Sequence, residues 1–95
     1  MELSNEVIKK GTSSIPGFRM EYSVTYVDEK MTSISAQVKK LIDTEGVKTE
    51  KWVGNASLDL NLNRYTFNFT DYKVVTADDR AAIFADFEKT IKTLL

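Results

Sequence analysis

The chain has 95 residues, of which 13 are Lys or Arg and 14 are Asp or Glu, so its formal net charge is −1. A charge so near zero provides no bulk field to attract nucleic acid or an anionic membrane. The sequence contains no His and no Cys, which removes the usual neutral-pH proton shuttle, the thiol nucleophile and the best transition-metal ligands. The length predicts one domain over residues 1–95, able to fold without disulfides.

Residues 2–17 show no clear hydrophobic period. Residues 2–10 fit either a short helix or an added edge strand, and the pattern leaves both alternatives open. Residues 11–17 are predicted to form an irregular loop, with Pro16 as its stiff point.

Residues 18–27 form the clearest predicted strand. Polar and apolar residues alternate there, which is the period-2 pattern of a strand with one buried face. Asp28, Glu29 and Lys30 interrupt the pattern, and residues 31–38 resume it. A β-hairpin is therefore predicted.

Residues 38–42 fit either a strand or a helix, because apolar residues in this region also satisfy helical spacing. The β-branched residues nearby favour the strand. Residues 43–46 are predicted to turn. A strand over residues 47–53 follows, and Gly54-Asn55 is predicted to end it.

A second hairpin is predicted over residues 56–69. Apolar and polar residues alternate on either side of a short turn at Asn63-Arg64. Beyond residue 69 the apolar positions change from odd to even numbers, which predicts a β-bulge near Thr70-Asp71.

The C-terminal segment is predicted to form a helix that begins after Thr76. Thr76 is a favourable N-cap residue, and acidic residues in the first turn would meet the positive end of the helix dipole. The predicted apolar face consists of Ile83 or Phe84, Phe87, Ile91, and Leu94 or Leu95. Such a face packs on a sheet. The predicted fold is thus α+β, an antiparallel β-sheet of four to five strands packed against a C-terminal α-helix, with a short N-terminal helix as one alternative.

An enzyme without His or Cys would have to use carboxylates, Lys, Tyr, Ser or Thr. The carboxylate candidates are Glu21, Asp59, Asp71, Asp78 and Asp79. Helix capping explains the last two, while Glu21 and Asp59 lie on polar strand faces, where charges serve solubility and cross-strand pairing. We therefore predict no catalytic residue and no enzymatic activity.

The sequence also predicts no cofactor and no bound metal. Its carboxylates lack the spacing of a calcium-binding loop, and neither of the Gly-rich phosphate-binding motifs occurs.

Six aromatic residues lie on predicted strands, and they fit either a stacking platform for nucleic acid bases or a core. A platform requires a basic surround, whereas acids and bases balance here. The helix, in turn, requires an apolar sheet face to cover. We favour the core and predict no nucleic acid partner. The six residues are Phe18, Tyr22, Tyr26, Tyr65, Phe67 and Phe69.

Trp52 shares one face of its predicted strand with Lys48 and Glu50. Neither face of that strand is purely apolar, which is typical of an edge strand with a partly exposed Trp. Trp is also enriched among the residues that contribute most to protein interfaces. We therefore predict that Trp52, Lys48 and Glu50 contact a protein partner, with ordinary packing of Trp52 as the alternative.

Three stretches of the predicted second hairpin form a recognisable pattern: Gly54-Asn55-Ala56-Ser57, residues 58–62 and Arg64-Tyr65-Thr66-Phe67-Asn68-Phe69-Thr70-Asp71-Tyr72. This pattern resembles the closing hairpin of an uncharacterised Bacteroidetes domain with a TBP-like fold. The resemblance covers about a quarter of the chain and departs from the family at Asn63, where Asp-Gly is more usual. It implies helices packed on a curved antiparallel sheet and a cell-envelope origin with the leader removed, and it supplies no catalytic residue.

The leading functional hypothesis is a non-catalytic binding or interaction module of a bacterial protein, with an unknown protein partner. Two alternatives stay open: a carrier that holds a small apolar ligand in a cavity between sheet and helix, and an inhibitor that acts by surface binding.

Oligomeric state and compartment stay open as well. An unprotected edge strand allows either a monomer or a sheet-edge dimer. No apolar run reaches the roughly 18 residues of a membrane span, so no membrane insertion is predicted. The protein is expected in the cell envelope or periplasm if a leader has been removed, and otherwise in the cytoplasm.

Overall fold

Residues 3–95 form five strands and one helix, and alternating polar and apolar side chains are clearest in the strand Phe18–Val27. The computed structural model describes residues 3–95. The strands and the helix have the following bounds: β1 Glu6–Ile15, β2 Phe18–Val27, β3 Lys30–Thr44, β4 Val47–Asp59, β5 Arg64–Phe69 and α1 Ala77–Leu94. This arrangement confirms the predicted α+β fold with an antiparallel sheet of five strands and a C-terminal helix.

The sheet is a meander in which each strand pairs with the next one in the sequence. Its strand order is β1-β2-β3-β4-β5, and all neighbours are antiparallel. Two-residue turns join the first four strands. Asp28 (φ 49°) and Glu29 (φ 68°) form one of them, and Glu45 (φ 52°) and Gly46 (φ 82°) another. Paired positive φ values give turns whose twist matches that of a hairpin.

The core lies between α1 and one face of β2, β3 and β4. Ile83, Phe87 and Ile91 of α1 are buried there. The ring of Phe87 stacks on Tyr22 at 6.1 Å and meets Phe67 edge-on at 5.8 Å. The sheet contributes Phe18, Met20, Tyr22, Val24, Ile34, Ala36, Val38, Val53, Ala56 and Leu58 to this core.

A capping box starts the helix at the residue that the sequence indicates. The Asp79 amide donates to the Thr76 hydroxyl at 3.2 Å, and the Thr76 amide donates to the Asp79 carboxylate at 3.1 Å. Each cap of this kind stabilises a helix by about 1 kcal/mol. Within residues 3–95 no helix combines the length and the apolar character that a membrane crossing requires.

Polar contacts attach α1 to β1 and β2. The Asp86 carboxylate accepts hydrogen bonds from the Ser13 hydroxyl at 2.8 Å and from the Tyr22 hydroxyl at 2.7 Å. Burial raises the pKa of Tyr22, and the neighbouring Asp86 carboxylate raises it further. Tyr22 therefore stays protonated and donates to Asp86 throughout the neutral pH range.

The N-terminal segment differs from the prediction. A short N-terminal helix is wrong, because β1 begins at Glu6 and forms the edge strand that was the other alternative. Residue 2, the first of the predicted segment 2–10, lies outside the described part of the chain. The loop predicted over residues 11–17 is wrong as well, since β1 runs to Ile15 and only Pro16 and Gly17 turn. An edge strand exposed on both sides needs no alternating apolar residues, so it leaves no period-2 signal.

The fourth strand also differs from the prediction, since Gly54 does not end it. One continuous strand, β4, replaces the predicted end at residues 54–55 and the two shorter strands around it. The β3–β4 register shifts there, because Val38 pairs with Gly54 while Lys39 pairs with Trp52. Val53 is thus the extra residue of a β-bulge, and the strand continues through it.

The bulge predicted near Thr70-Asp71 is wrong. β5 ends at Phe69, and the chain then turns towards α1. The change in apolar parity beyond residue 69 marks the end of the strand, and Val75 beyond it is buried in the core. The alternative of a helix over residues 38–42 is excluded, because β3 extends to Thr44.

Gly54 permits the close approach of β4 to β5, which generates a testable prediction. A Cβ atom at this position would collide with the backbone oxygen of Asn68 and lie 2.7 Å from the Phe69 ring. We expect Gly54→Ala to destabilise the fold by about 2 to 3 kcal/mol, because the β5 backbone would have to move. Urea denaturation measures this change.

Gly11→Ala is the matched control on another strand. A Cβ atom at Gly11 would meet no neighbouring atom within 4 Å, and the φ of Gly11 lies outside the left-handed region. We expect this substitution to change the free energy of unfolding by less than about 1 kcal/mol. Equal losses in the two variants would show that the close approach at Gly54 is not the cause.

Candidate binding surface

The sheet face opposite α1 is polar and uncovered by any other part of residues 3–95. Neighbouring strands align its side chains in rows. One row runs Lys10, Ser23, Ser35, Ser57 and Thr66, and the next runs Thr12, Glu21, Gln37, Asn55 and Asn68. Most side chains in these rows are small hydroxyl or amide groups, and the longer ones are Lys10, Glu21 and Gln37.

Longer side chains gather at one end of the open face and form what we call the Trp52 surface. β2 supplies two of them, β3 two and β4 two. The β-ladders bring them side by side, since Arg19 pairs with Lys39 and Lys39 with Trp52. The Trp52 surface consists of Arg19, Glu21, Gln37, Lys39, Glu50 and Trp52.

The β-bulge at Val53 decides which way Trp52 points. Gly54 and Ala56 lie on the helix side of β4, so regular alternation would also turn Trp52 towards α1. The extra residue reverses the face to which the even-numbered residues before it point, so Trp52 pairs with Lys39 on the open face. Its side chain is 46% exposed there. The indole Nε1 donates a hydrogen bond of 2.7 Å to Gln37 Oε1, which fixes the ring.

A network of four charged side chains lies beside Trp52. One Arg19 nitrogen donates to Glu21 and to Glu50, each at 2.6 Å, and Lys39 lies 2.9 Å from Glu21. Arg19 Nε is buried without a hydrogen-bond partner among residues 3–95. Both carboxylates are therefore bound by one terminal nitrogen of the guanidinium.

Glu21 accepts from both cations of the network. Its pKa is lowered chiefly by the hydrogen bond from Lys39, with further contributions from the nearby charges of Lys39, Arg19 and Lys10, while partial desolvation opposes the change. A lowered pKa in the folded protein means that ionised Glu21 stabilises the fold above the pKa of the unfolded chain. This contribution is lost as the pH falls through the folded pKa.

Next to the Trp52 surface, β3 and β4 extend beyond the rest of the sheet as a two-stranded ribbon of residues 41–50. β2 pairs with β3 only as far as Lys40, and β5 pairs with β4 only from Gly54 onward. The molecule is accordingly elongated, 54 Å by 25 Å by 24 Å. Ribbon residues Leu41 and Val47 expose apolar side chains. β4 lies between β3 and β5, so it is not the predicted edge strand, but among residues 3–95 no strand pairs with the outer edge of residues 47–52.

Of the three residues predicted to contact a partner, Trp52 and Glu50 come together and Lys48 lies farther out. All three lie on the open face. Glu50 is joined to Arg19, whereas Lys48 pairs with Asp43 on the ribbon. Lys48 therefore extends the surface along the ribbon and takes no part in the Arg19 network.

The remaining carboxylate candidates stabilise local backbone structure. Asp59 accepts from the amides of Asn61 and Leu62 and so shapes the β4–β5 turn. Asp71 accepts from the Lys73 amide. Asp79 completes the capping box, and Asp78 lies beside it in the first helical turn. Within residues 3–95 no three Asp or Glu side chains converge as a metal site would require.

The aromatic residues confirm the core interpretation. Phe18 and Tyr22 are buried, and Tyr26, Phe67 and Phe69 pack against the core on the helix side. Tyr65 is the most exposed of the six, at the margin of that side, where it stacks on Phe67.

Sequence reasoning missed Arg19, Gln37 and Lys39 as members of the site. Alternation places Arg19 and Gln37 on polar strand faces, but only the lateral register of β2, β3 and β4 brings all three beside Trp52. A single sequence gives no direct signal for that register. The nearest available signal is a pair of oppositely charged residues, Arg19 and Glu21, two positions apart on one face of β2.

Comparison of the chain with protein-family models, curated proteins and solved structures gives no significant match. The resemblance of residues 54–72 to a Bacteroidetes TBP-like domain therefore stays a prediction. Function is inferred below from the geometry of the chain alone.

The Glu21 network generates a prediction for titration by NMR. We expect the Glu21 carboxyl to titrate below its ordinary range in the wild type, and its pKa to rise in Lys39→Ala because the principal hydrogen bond is lost. Lys30→Ala, at the far end of β3, removes the same charge without touching Glu21 and should leave its pKa in place. An unchanged Glu21 pKa in Lys39→Ala would contradict the assigned contact.

Proposed function

We propose that the protein is a non-catalytic binding module that contacts a protein partner through the Trp52 surface. The observation that supports this most directly is the position of Trp52. Its ring is half-exposed, fixed by Gln37, and directed outward from an uncovered sheet face. Trp and Arg are among the residue types most enriched at interface hot spots, and Trp52 and Arg19 lie on the same surface here.

The Trp52 surface is preorganised, which lowers the entropic cost of binding. Trp52 is held by Gln37 and Arg19 by two carboxylates. Side chains that are already immobile lose little rotamer freedom when a partner arrives, whereas a mobile side chain costs about 0.5 to 1.5 kcal/mol. Rigid Trp and Arg side chains can therefore contribute most of their contact energy to affinity.

The charge of the surface favours a protein over a nucleic acid. Arg19 and Lys39 are balanced by Glu21 and Glu50, and both acids lie within 3 Å of a base. A phosphate backbone would meet carboxylates and neutralised cations here, which gives little affinity. A partner with its own mixture of apolar and charged side chains fits this surface better.

The small-ligand alternative has weaker support. The recesses on the helix side measure about 250 Å³ between β1 and the C-terminal part of α1 and about 260 Å³ beside Val7 and Tyr26, and both are open to solvent. Drug-sized ligands occupy pockets of about 300 to 1,000 Å³. The space between α1 and the centre of the sheet is filled by Phe87, Met20 and Ile34, all fully buried.

The inhibitor hypothesis assumes the same contact through the Trp52 surface, but it predicts a different effect on the partner. An inhibitor reduces the activity of the partner it binds, and a simple interaction module leaves it unchanged. An assay of the purified partner with and without this protein separates the two. The absence of enzymatic activity in the chain itself also stays a proposal, supported by the structural roles of its candidate carboxylates.

Replacement of Trp52 tests the proposal. We expect Trp52→Ala to weaken the partner's affinity by about 30-fold, which corresponds to about 2 kcal/mol. Glu50→Ala and Lys48→Ala should weaken it less, because neither removes the aromatic anchor. The partner is first captured from lysate with immobilised wild-type protein and then titrated, once purified, against each variant by calorimetry.

Thermal unfolding and one further variant control this experiment. Because Trp52 is half-exposed, we expect its loss to cost less than about 1 kcal/mol of stability. Tyr72→Ala removes an aromatic side chain that is 75% exposed and outside the Trp52 surface, and it should leave affinity unchanged. A large fall in melting temperature for Trp52→Ala would show that Trp52 stabilises the fold by packing. Equal affinity of Trp52→Ala and wild type would show that the partner binds another part of the protein.

A further inference from the structure

β1 forms one edge of the sheet and β5 the other, and the outer edge of β1 has no strand beside it among residues 3–95. A two-residue turn at Pro16-Gly17 joins β1 to β2, so Ile15 and Phe18 form a hydrogen-bonded pair. Hydrogen bonds to β2 then recur at every second residue, the odd-numbered ones. The even-numbered residues of β1 direct their N–H and C=O groups outward, away from the sheet.

This edge carries little protection against pairing with another strand. The first seven residues of β1 are exposed, and the strand pairs with β2 along its full length without a register shift. Val7 and Ile8 are 43% and 49% exposed. Protected edges are usually short, bulged, interrupted by Pro or charged. Between Glu6 and Ile15, β1 is neither short nor bulged nor interrupted by Pro, and its charged residues are Glu6, Lys9 and Lys10.

The sequence of β1 is complementary to itself in the antiparallel direction. If Ile8 lies opposite Ile8 of a second copy, then Glu6 lies opposite Lys10 and Val7 opposite Lys9. Two Glu6–Lys10 pairs and one Ile8–Ile8 contact result on the open face, where opposite charges and apolar pairs stabilise neighbouring strands. Neither Glu6 nor Lys10 takes part in an ion pair within residues 3–95, so both charges are available.

Hydrogen bonding agrees with this register. Ile8, Glu6 and Lys10 are all even-numbered, so their outward N–H and C=O groups meet in about six hydrogen bonds between the copies. Centring the pair on Lys10 or on Glu6 would bring like charges together, and centring it on Thr12 would place Ile8 opposite Pro16. Among these registers, only the Ile8 centre aligns opposite charges and an apolar pair.

We propose that two copies of this chain associate by antiparallel pairing of their β1 strands, with the two-fold axis at Ile8. Two five-stranded sheets then join into one sheet of ten strands. Residues directly opposite in a ladder lie on the same face, so both α1 helices cover one side of the joined sheet. Both Trp52 surfaces lie on the other side, at opposite ends. The proposal does not depend on the function proposed above.

Reversal of charge tests the register. Glu6→Lys places Lys opposite Lys10, and Lys10→Glu places Glu opposite Glu6, twice in each dimer. We expect each single variant to raise the dimer dissociation constant at least about tenfold in sedimentation equilibrium. The double variant Glu6→Lys/Lys10→Glu restores opposite charges and should regain wild-type association. Thermal melting of each variant confirms that it is folded.

An introduced thiol tests the position of the axis. The chain contains no Cys, so Ile8→Cys supplies one thiol per copy, about 5.5 Å from its equivalent by Cα, within the range that a disulfide spans. Mild oxidation should cross-link Ile8→Cys dimers rapidly. Thr12→Cys is the matched control on the same strand, because its equivalents would be roughly 27 Å apart and should not cross-link.

Three results would overturn the proposal. One is a wild-type chain that stays monomeric up to about 1 mM, because a dimer with a weaker dissociation constant than this would not count as specific. The second is a double variant that associates no better than the single ones. The third is equal cross-linking of Ile8→Cys and Thr12→Cys. Binding of the partner to the Trp52 surface is measured separately, so it can persist when dimerisation fails.

Discussion

The contact between Phe87 and the aromatic side chains of the sheet determines how the rest of the structure is arranged. Phe87 is fully buried, with Tyr22 stacked on it and Phe67 at its edge. One helix is about 10 Å wide, whereas five strands span roughly 19 Å. A single helix therefore covers only part of the sheet's width, and it meets the edge strands only locally, for example at Ser13 of β1 and Phe67 of β5. The opposite face and most of β1 remain exposed to solvent, and both proposed contacts lie on these uncovered parts.

Where one face of an element is buried, its sequence predicts it well. The alternation in β2, the turn at Asp28-Glu29 and the N-cap at Thr76 all agree with the structure. β1 escapes recognition because it is exposed along most of its length, so burial imposes no period on its side chains. Gly54 suggests a strand end because a Gly in a strand pattern marks either a break in the strand or a close approach of a neighbouring strand.

The candidate site is only partly predictable for a related reason. Period-2 alternation is local, and it places Glu50 and Trp52 on one face. Which face that is depends on the bulge at Val53, and which side chains lie beside it depends on the register between strands. Register is fixed by the whole set of turns and ladders. Arg19 and Gln37, far from Trp52 in the sequence, therefore give no local signal.

The meander order has a consequence for the nascent chain. Each strand pairs with its sequence neighbour, so the sheet can assemble hairpin by hairpin while synthesis proceeds. The contact from Ser13 to Asp86 spans 73 residues, and α1 is the last of the elements to emerge. Until then, the apolar sheet face has no cover and presents a surface of the kind that chaperones bind. The capping box at Thr76 favours prompt formation of the helix and so shortens this exposure.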